Sequence, residues 1–306
     1  MNTRHAKLIL SILKEGSFTA AAKALSITQP TLSQTVRQIE TQLGESIFVR
    51  GKTPVQLTQA GELYVQAARR IIQAETQLKE AITMLHGRME GTLRIGVINQ
   101  RSSELLPQII PDFFSAYPGV RLNIREDDPQ TLEQLLLNGE LDIALFSSEK
   151  QHSKLEYRQI ASEEVVLITS KKTPLAQRIP SGTTIGLREV EHEHFILPPA
   201  NEAHRRFFDE LLESCSISPD AKIICDGVDT AMRLCANSNL VALVPFISLL
   251  CDSASMQRLA HYHLGTDAYL PPFYMVYPHE QPPAVYGETL FTLLSSRFRA
   301  MTAYRP

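Results

Sequence analysis

Apolar positions along the first sixty residues recur at helical spacing in two short blocks. Phe18, Ala21, Ala22 and Leu25 form one stripe, with Ser17 placed before it as a candidate N-cap. Ser26 and Ile27 break the pattern. Thr28 then serves as the N-cap of a second helix, with Pro30 in its first turn, where a missing N–H costs little. In that helix Leu32, Val36, Ile39 and Leu43 share the buried face. Thr31 and Ser33 lie near its start, and Gln34 and Arg37 point away from the stripe. After Gly44, Ile47-Phe48-Val49-Arg50 and Val55-Gln56-Leu57 flank Gly51-Lys52-Thr53-Pro54, which reads as a hairpin with Arg50 and Lys52 at its tip. Short polar groups and a cation on a helix N-terminus are what base edges and phosphates require, and a basic hairpin beside them suits the sugar-phosphate backbone. On periodicity alone, the same pattern also fits a small helical bundle with solvated charges.

From Ala60 to Leu85 neither proline nor glycine intervenes after Gly61. Ala60, Tyr64, Ala67, Ile71, Ala74, Leu78, Ala81 and Leu85 follow in alternating steps of four and three, a heptad seam. The spacing predicts one long helix that pairs with a second copy of itself, placing two heads on a two-fold symmetric site. A surface helix packed on its own domain is the plainer alternative.

Beyond residue 90 the pattern becomes α/β. Leu93–Ile98, Val120–Ile124 and Leu141–Phe146 read as strands, separated by helices around residues 105–114 and 132–136. This βαβαβ order predicts a parallel sheet with ligand sites at the carboxyl ends of its strands. A second α/β set follows, with strands near 165–169, 195–197, 222–225 and 240–244 and helices near 205–212 and 230–236. A late strand at 273–277 and a helix over 285–301 return to the first set, which predicts a two-lobed clamshell.

Net charge is −3 for 306 residues. Residues 1–60 hold seven lysines and arginines against three acids, an excess of four positive charges that leaves −7 on the remainder. A basic head on an acidic body fits nucleic-acid binding confined to one end. No apolar leader and no bilayer-length apolar run is seen, so a cytoplasmic location and no membrane partner are expected. Cys215, Cys225, Cys235 and Cys251 lack CxxC spacing and are expected to be reduced; a redox pair of Cys225 with Cys235 is a minor alternative. The pairs His192/His194 and His261/His263 would each share a face on a strand, but nothing at ligand spacing completes either, so loop or surface histidines and no metal or other cofactor are expected.

The head resembles the winged helix-turn-helix of LysR-type transcriptional regulators, through Phe18, Ala21, Ala22, Leu25, Ile27, Thr28, Gln29, Pro30, Thr31, Leu32, Ser33, Val36, Glu40, Leu43, Gly44, Phe48, Arg50, Leu57, Thr58, Ala60 and Gly61. Ile39, Gln34 and the Thr53-Pro54 wing tip depart from that pattern. The body is similar to the effector domain of the same family through Ile95-Gly96, Leu105-Leu106-Pro107, Tyr117-Pro118, Gly139-Glu140-Leu141-Asp142 and Leu243-Val244-Pro245, and departs from it at Ala236–Asn239. The expected architecture is a multidomain α+β chain. A winged helix-turn-helix covers 1–58, a dimerisation helix 59–89, and an effector domain like a type 2 periplasmic binding protein 90–306. Lobe I is expected at about 90–161 and 267–306, and lobe II at about 162–266.

The resemblance implies DNA contacts through Thr28, Gln29, Pro30, Thr31, Ser33, Gln34, Arg37, Arg50, Lys52 and Thr58, and helix pairing through Tyr64, Ala67, Ile71, Ala74, Leu78, Ala81 and Leu85. It places Asn99 and Gln100 in the effector cleft, facing Pro199, Asn201 and Thr230. Arg101, Ser102 and Ser103 open the same helix, whose free N–H groups favour an organic anion; Asp127 and Asp128 nearby would instead favour a cationic or amphoteric ligand. Double-stranded DNA, a small-molecule effector, a second copy of the chain in a dimer or dimer of dimers, and RNA polymerase are the implied partners. The function expected is transcription regulation, not catalysis: no GxSxG, HExxH, P-loop or GxGxxG is present. A solute-binding protein for transport is a competing class, disfavoured by the basic head.

Overall fold

The computed structural model describes residues 2–85, 90–200, 203–264 and 269–302. The chain opens with a helix absent from the sequence expectation, α1 (Thr3–Glu15). Its signals are local: Asn2 Oδ1 accepts from the His5 N–H at 2.8 Å, and Ile9 and Ile12 are fully buried at helical spacing. The next two helices follow the sequence expectation. α2 (Phe18–Ala24) is capped by Ser17, whose Oγ accepts from the Ala20 N–H at 3.1 Å. α3 (Gln29–Leu43) is capped by Thr28, whose Oγ1 accepts from the Thr31 N–H at 3.3 Å. Leu32, Val36 and Ile39 of α3 pack on Ala21 and Ala22 of α2 and on α1. The expected hairpin is reduced to a Phe48–Leu57 bridge, with the Val49 N–H donating to Gln56 O at 2.9 Å.

α4 (Gln59–Leu85) follows as one helix of 27 residues. It passes so close to the base of the wing that a Cβ on Gly61 would lie 2.0 Å from the Ile47 carbonyl oxygen, so only glycine fits there.

The body consists of β1 (Glu90–Val97), α5 (Asn99–Ala116), β2 (Gly119–Glu126), α6 (Pro129–Leu137), β3 (Ile143–Ser147), β4 (Leu155–Ser170), α7 (Pro174–Arg178), β5 (Thr184–Ile185), β6 (His194–Leu197), α8 (Ala203–Ser214), β7 (Asp220–Ile224), α9 (Val228–Ala236), β8 (Val241–Pro245), α10 (Phe246–Cys251), α11 (Ser253–Arg258), β9 (Leu259–Leu264), β10 (Tyr269–Pro278) and α12 (Val285–Thr302). Strand order is β2-β1-β3-β10-β4-β8-β6-β7, with β9 paired to β4 and β5. β1, β2 and β3 are parallel, as the βαβαβ pattern requires; β10 returns antiparallel between β3 and β4.

β4 is the strand that ties the two α/β sets together. Its first part, from Leu155 to Glu164, pairs with β10, and its last part, from Val165 to Ser170, pairs with β8 and β9. Only the apolar second part is legible as a strand in the sequence, because Glu156, Arg158, Gln159, Glu163 and Glu164 mask the first. One core lies around Leu93, Ile95, Phe113, Phe273 and Phe298, and another around Val165, Leu167, Phe195, Leu243 and Tyr262.

Candidate functional site

The polar start of α3 stands on a fully packed base. Thr28, Gln29, Pro30, Thr31, Gln34 and Arg37 are exposed, while Leu32 on the opposite side is fully buried. Ser33 is half-buried and accepts from Gln29 Nε2 at 3.0 Å. Arg37, Arg50 and Lys52 are exposed and make no ion pair among the described residues. Thr58 behaves differently from these. Its hydroxyl donates to Ser46 O at 2.5 Å and accepts from the Gly61 N–H at 2.9 Å, so it joins wing to linker helix. Glu40 does related work: its Oε1 accepts from the Ile47 N–H at 2.7 Å and pins the wing to α3.

The seam along α4 needs one correction. Tyr64 faces inward with Val65 and Ala68 as part of the head's own core, and is 7% exposed. Leu63, one residue earlier, is the apolar side chain facing out at 65% exposure. A helix that must cover its own head and also present an outer stripe splits its apolar residues between two faces, and the heptad count alone does not separate them. Ala67, Ala74 and Leu78 are exposed and Ile71 is half-buried. The side chains of Ala81 and Leu85 lie outside the described residues.

Asn99, Gln100, Arg101, Ser102 and Ser103 form the first turn of α5. Asn99 is exposed, and Ser103 Oγ turns back to donate to Gln100 O at 3.0 Å. Gln100 Nε2 donates to Ser248 Oγ of α10 at 2.7 Å and to Glu104 Oε1 at 3.0 Å. Arg101 was expected to offer its charge to an anion, and it does not. It is fully buried, its guanidinium donates to the carboxylates of Glu104 and Glu163, and its Nη1 reaches Ser248 Oγ at 3.3 Å. A guanidinium taken out of water needs counter-charges, and here it has two. Those carboxylates hold Arg101 charged against its burial. Burial pushes Glu163 upward, with Arg101 pulling it back and Glu104 adding to the rise.

Glu163 and Ser248 carry no signal in the sequence; only Glu104, three residues along the same helix, is a legible partner. Ser102 is buried. Thr230 is exposed in the first turn of α9, Pro199 is half-buried after β6, and Asn201 lies outside the described residues. Asp127 and Asp128 are committed locally. Asp127 pairs with Arg125 at 3.1 Å, and Asp128 caps α6 through Thr131, which holds its carboxyl below the usual range.

His261 and His263 lie on β9, not in a loop, and share a face with Phe246, whose ring centroid is 5.3 Å from each imidazole. His263 Nδ1 meets Glu164 at 2.7 Å. His192 and His194 are exposed beside Glu191 and Asp220. No group of three or more metal-ligating side chains occurs among the described residues. The four cysteines are free, and burial pushes the Cys235 and Cys251 thiols up to about 12, far from the thiolate a redox pair needs.

Comparison with known proteins now adds a family to this geometry. A family description of bacterial regulatory helix-turn-helix proteins of the lysR family matches residues 3–62, and that of the LysR substrate binding domain matches residues 86–299. This chain belongs to the LysR family. Its LysR relatives include the transcriptional regulator YtlI of Bacillus subtilis, 33% identical over 66% of this chain and 64% of that protein. The uncharacterized regulator YybE of the same organism is 30% identical over 74% of this chain and 76% of that one. The chain thus spans just under two thirds of YtlI. Among solved structures, a full-length OxyR variant from Pseudomonas aeruginosa superposes with a TM-score of 0.71 at 22% identity, over 96% of this chain and 98% of that one. Full-length BenM superposes at 0.58 with 23% identity, over 100% and 99%. These two share the fold. No helix among the described residues is long and apolar enough to cross a membrane.

Proposed function

We propose that this LysR-family regulator binds double-stranded DNA as a homodimer through the start of α3, and that a small molecule bound between the two α/β sets of the body controls it. The observation that carries the reading is the α3 face itself. Thr28, Gln29, Pro30, Thr31 and Gln34 stand exposed on a helix start whose other side is locked into a core. Arg37 on the same helix and Arg50 and Lys52 in the wing are exposed cations without internal partners among the described residues. Such a surface docks by phosphate contacts and reads by side chains at base edges. Thr58 supports the wing and takes no direct part.

Pairing of α4 with a second copy, along Leu63, Ala67, Ile71, Ala74 and Leu78, sets the distance between two heads. A dimer of dimers follows where the bodies also pair, and RNA polymerase is the partner such an assembly would address on a promoter. The limits that go with this reading are 1–58 for the head, 59–89 for the linker and 90–306 for the body, with β4 crossing between lobes at Glu164–Val165, where its pairing changes from β10 to β8 and β9. In the body, Asn99, Gln100, Ser102 and Ser103 with Pro199 and Thr230 border the effector cleft. The effector must compete with the Gln100–Ser248 bond, so its binding and the lobe arrangement are coupled.

The test is fluorescence anisotropy of the full chain on its own promoter DNA and on scrambled DNA, across a salt series. Salt-sensitive preference for the promoter is expected. Equal affinity for both sequences at every salt concentration would sink the reading.

A further inference from the structure

A cavity that none of the proposed cleft residues lines lies where the head, the linker helix and the body meet. Its volume is about 640 Å³, inside the roughly 300–1,000 Å³ range of small-molecule sites. α1 contributes Leu10, Leu13 and Lys14; α4 contributes Arg69, Ile72 and Gln73; the body closes it with Arg94, the Gly139–Asp142 turn and the segment from Gln281 to Tyr286.

The walls are held in place by paired charges. Arg69 meets Glu140 at 2.5 Å, and Arg94 grips Asp142 through Nη2 at 2.6 Å and Nε at 3.1 Å. Gln73 Nε2 donates to the same Asp142 at 3.2 Å. Gly139 lets the turn approach α4: its φ is +69°, and a Cβ there would lie 3.2 Å from Gln73 Oε1. The Gly139-Glu140-Leu141-Asp142 motif, which carried part of the family resemblance, is therefore the piece that seats the body against the linker helix.

Two groups are left over. Gln73 is only 6% exposed, yet its Oε1 is buried with no hydrogen-bond partner among the described residues, and a buried acceptor without a donor is costly. Lys14 at the rim has no ion-pair partner among the described residues. The two Arg–carboxylate pairs cancel, so the cavity keeps one positive charge. Leu10, Leu13, Ile72 and the Pro283–Tyr286 segment give it an apolar wall.

We propose that this cavity is a second ligand site, separate from the cleft between the lobes, for a small organic acid with an apolar body and a hydrogen-bond donor. The carboxylate faces Lys14, the body lies on Leu10, Leu13 and Ile72, and the donor satisfies Gln73 Oε1. A ligand there touches α1, α4 and the body together, so its occupancy fixes the head against the body and changes DNA affinity by linkage.

The experiment titrates the full-length protein with 4-hydroxyphenylacetate by calorimetry, with phenylacetate, which lacks the donor, and tyramine, which reverses the charge, as comparison probes. Saturable binding of 4-hydroxyphenylacetate is expected. It weakens at least tenfold in Leu13→Trp, which fills the cavity, and in Gln73→Leu, weakens severalfold in Lys14→Gln, and is unchanged in the cleft variant Gln100→Ala. Phenylacetate binds more weakly and tyramine does not bind. The promoter affinity of the wild type shifts with 4-hydroxyphenylacetate, and that of Leu13→Trp does not. Lys14→Gln changes only an exposed side chain, so it reads out the site even where Leu13→Trp fails to fold. The proposal is overturned by absence of saturable binding, by preference for tyramine, or by loss of binding in Gln100→Ala with retention in Lys14→Gln and Gln73→Leu. The last result places the probe in the cleft, which leaves the proposed function standing.

Discussion

The starts of α3 and α5 are the same kind of structure put to opposite uses. Both are helix N-termini rich in hydroxyl, amide and guanidinium groups. At α3 the polar side chains face water, and the cations Arg37, Arg50 and Lys52 have no internal partner among the described residues. At α5 the guanidinium of Arg101 is fully buried and spent on Glu104 and Glu163, and Gln100 is spent on Ser248. The first is ready to meet an outside partner without rearrangement. The second would bind a ligand only by exchanging contacts it already has, and an exchange of that kind would make a polar helix start a switch and not merely a surface.

Substitutions at the two helix starts should therefore separate stability from binding. Arg101→Met leaves two buried carboxylates without a cation, and urea unfolding should show a loss of about 3–5 kcal/mol. An unchanged midpoint would mean that the guanidinium is not the keystone of the lobe contact. At α3 the corresponding structural loss is smaller. Thr28→Ala removes the cap and should cost about 1 kcal/mol, seen as a lower Tm with promoter binding weakened in proportion.

A third variant concerns the lobe face next to the α10 contact. Burial, with His263 and then Lys171 adding to it and Glu164 opposing it, lowers His261 below its ordinary 6.5. The fold favours the neutral ring, so its contribution is complete above 6.5 and is lost as pH falls through the lowered value. His261→Gln should flatten the loss of unfolding free energy between about pH 8 and pH 5. An identical pH profile would show that the ring titrates alike folded and unfolded. The smallest effect on stability belongs to Arg37→Gln, within about 0.5 kcal/mol by urea unfolding, while the salt dependence of DNA binding drops by about one charge. A stability loss comparable to that of Arg101→Met would erase the contrast between the two helices.

The legibility of these sites in the sequence follows the range of the interactions. Ser17 and Thr28 are readable as caps because each bonds a backbone N–H three residues on. α1 is equally local, with Asn2 three residues before His5, so its signal was present in the sequence although the expectation omitted it. Tyr64 was misassigned because its spacing fits both the outer seam and the inner face, and only the packing against Val65 and Ala68 tells them apart. Arg101 misleads for a different reason. A cation near a helix start looks free in sequence, and its partner Glu163 stands 62 positions away on a strand whose polar first half concealed it. The strand carrying His261 and His263 escapes in the same way, since its partners lie across the sheet on β4 and β5.

The sequence by itself determined the capped starts of α2 and α3, the βαβαβ order, the charge contrast between head and body, and the family. All of these rest on spacing and residue type within a few turns, where sterics and backbone hydrogen bonding leave little choice. Tertiary structure alone decided which polar groups remain free. It buried Arg101 between two carboxylates, turned Tyr64 inward and Leu63 outward, and left Gln73 Oε1 without a donor among the described residues. Whether a charge or an amide is available depends on what the folded chain brings within about 3 Å of it, and contacts at that range are made by residues far apart in the sequence.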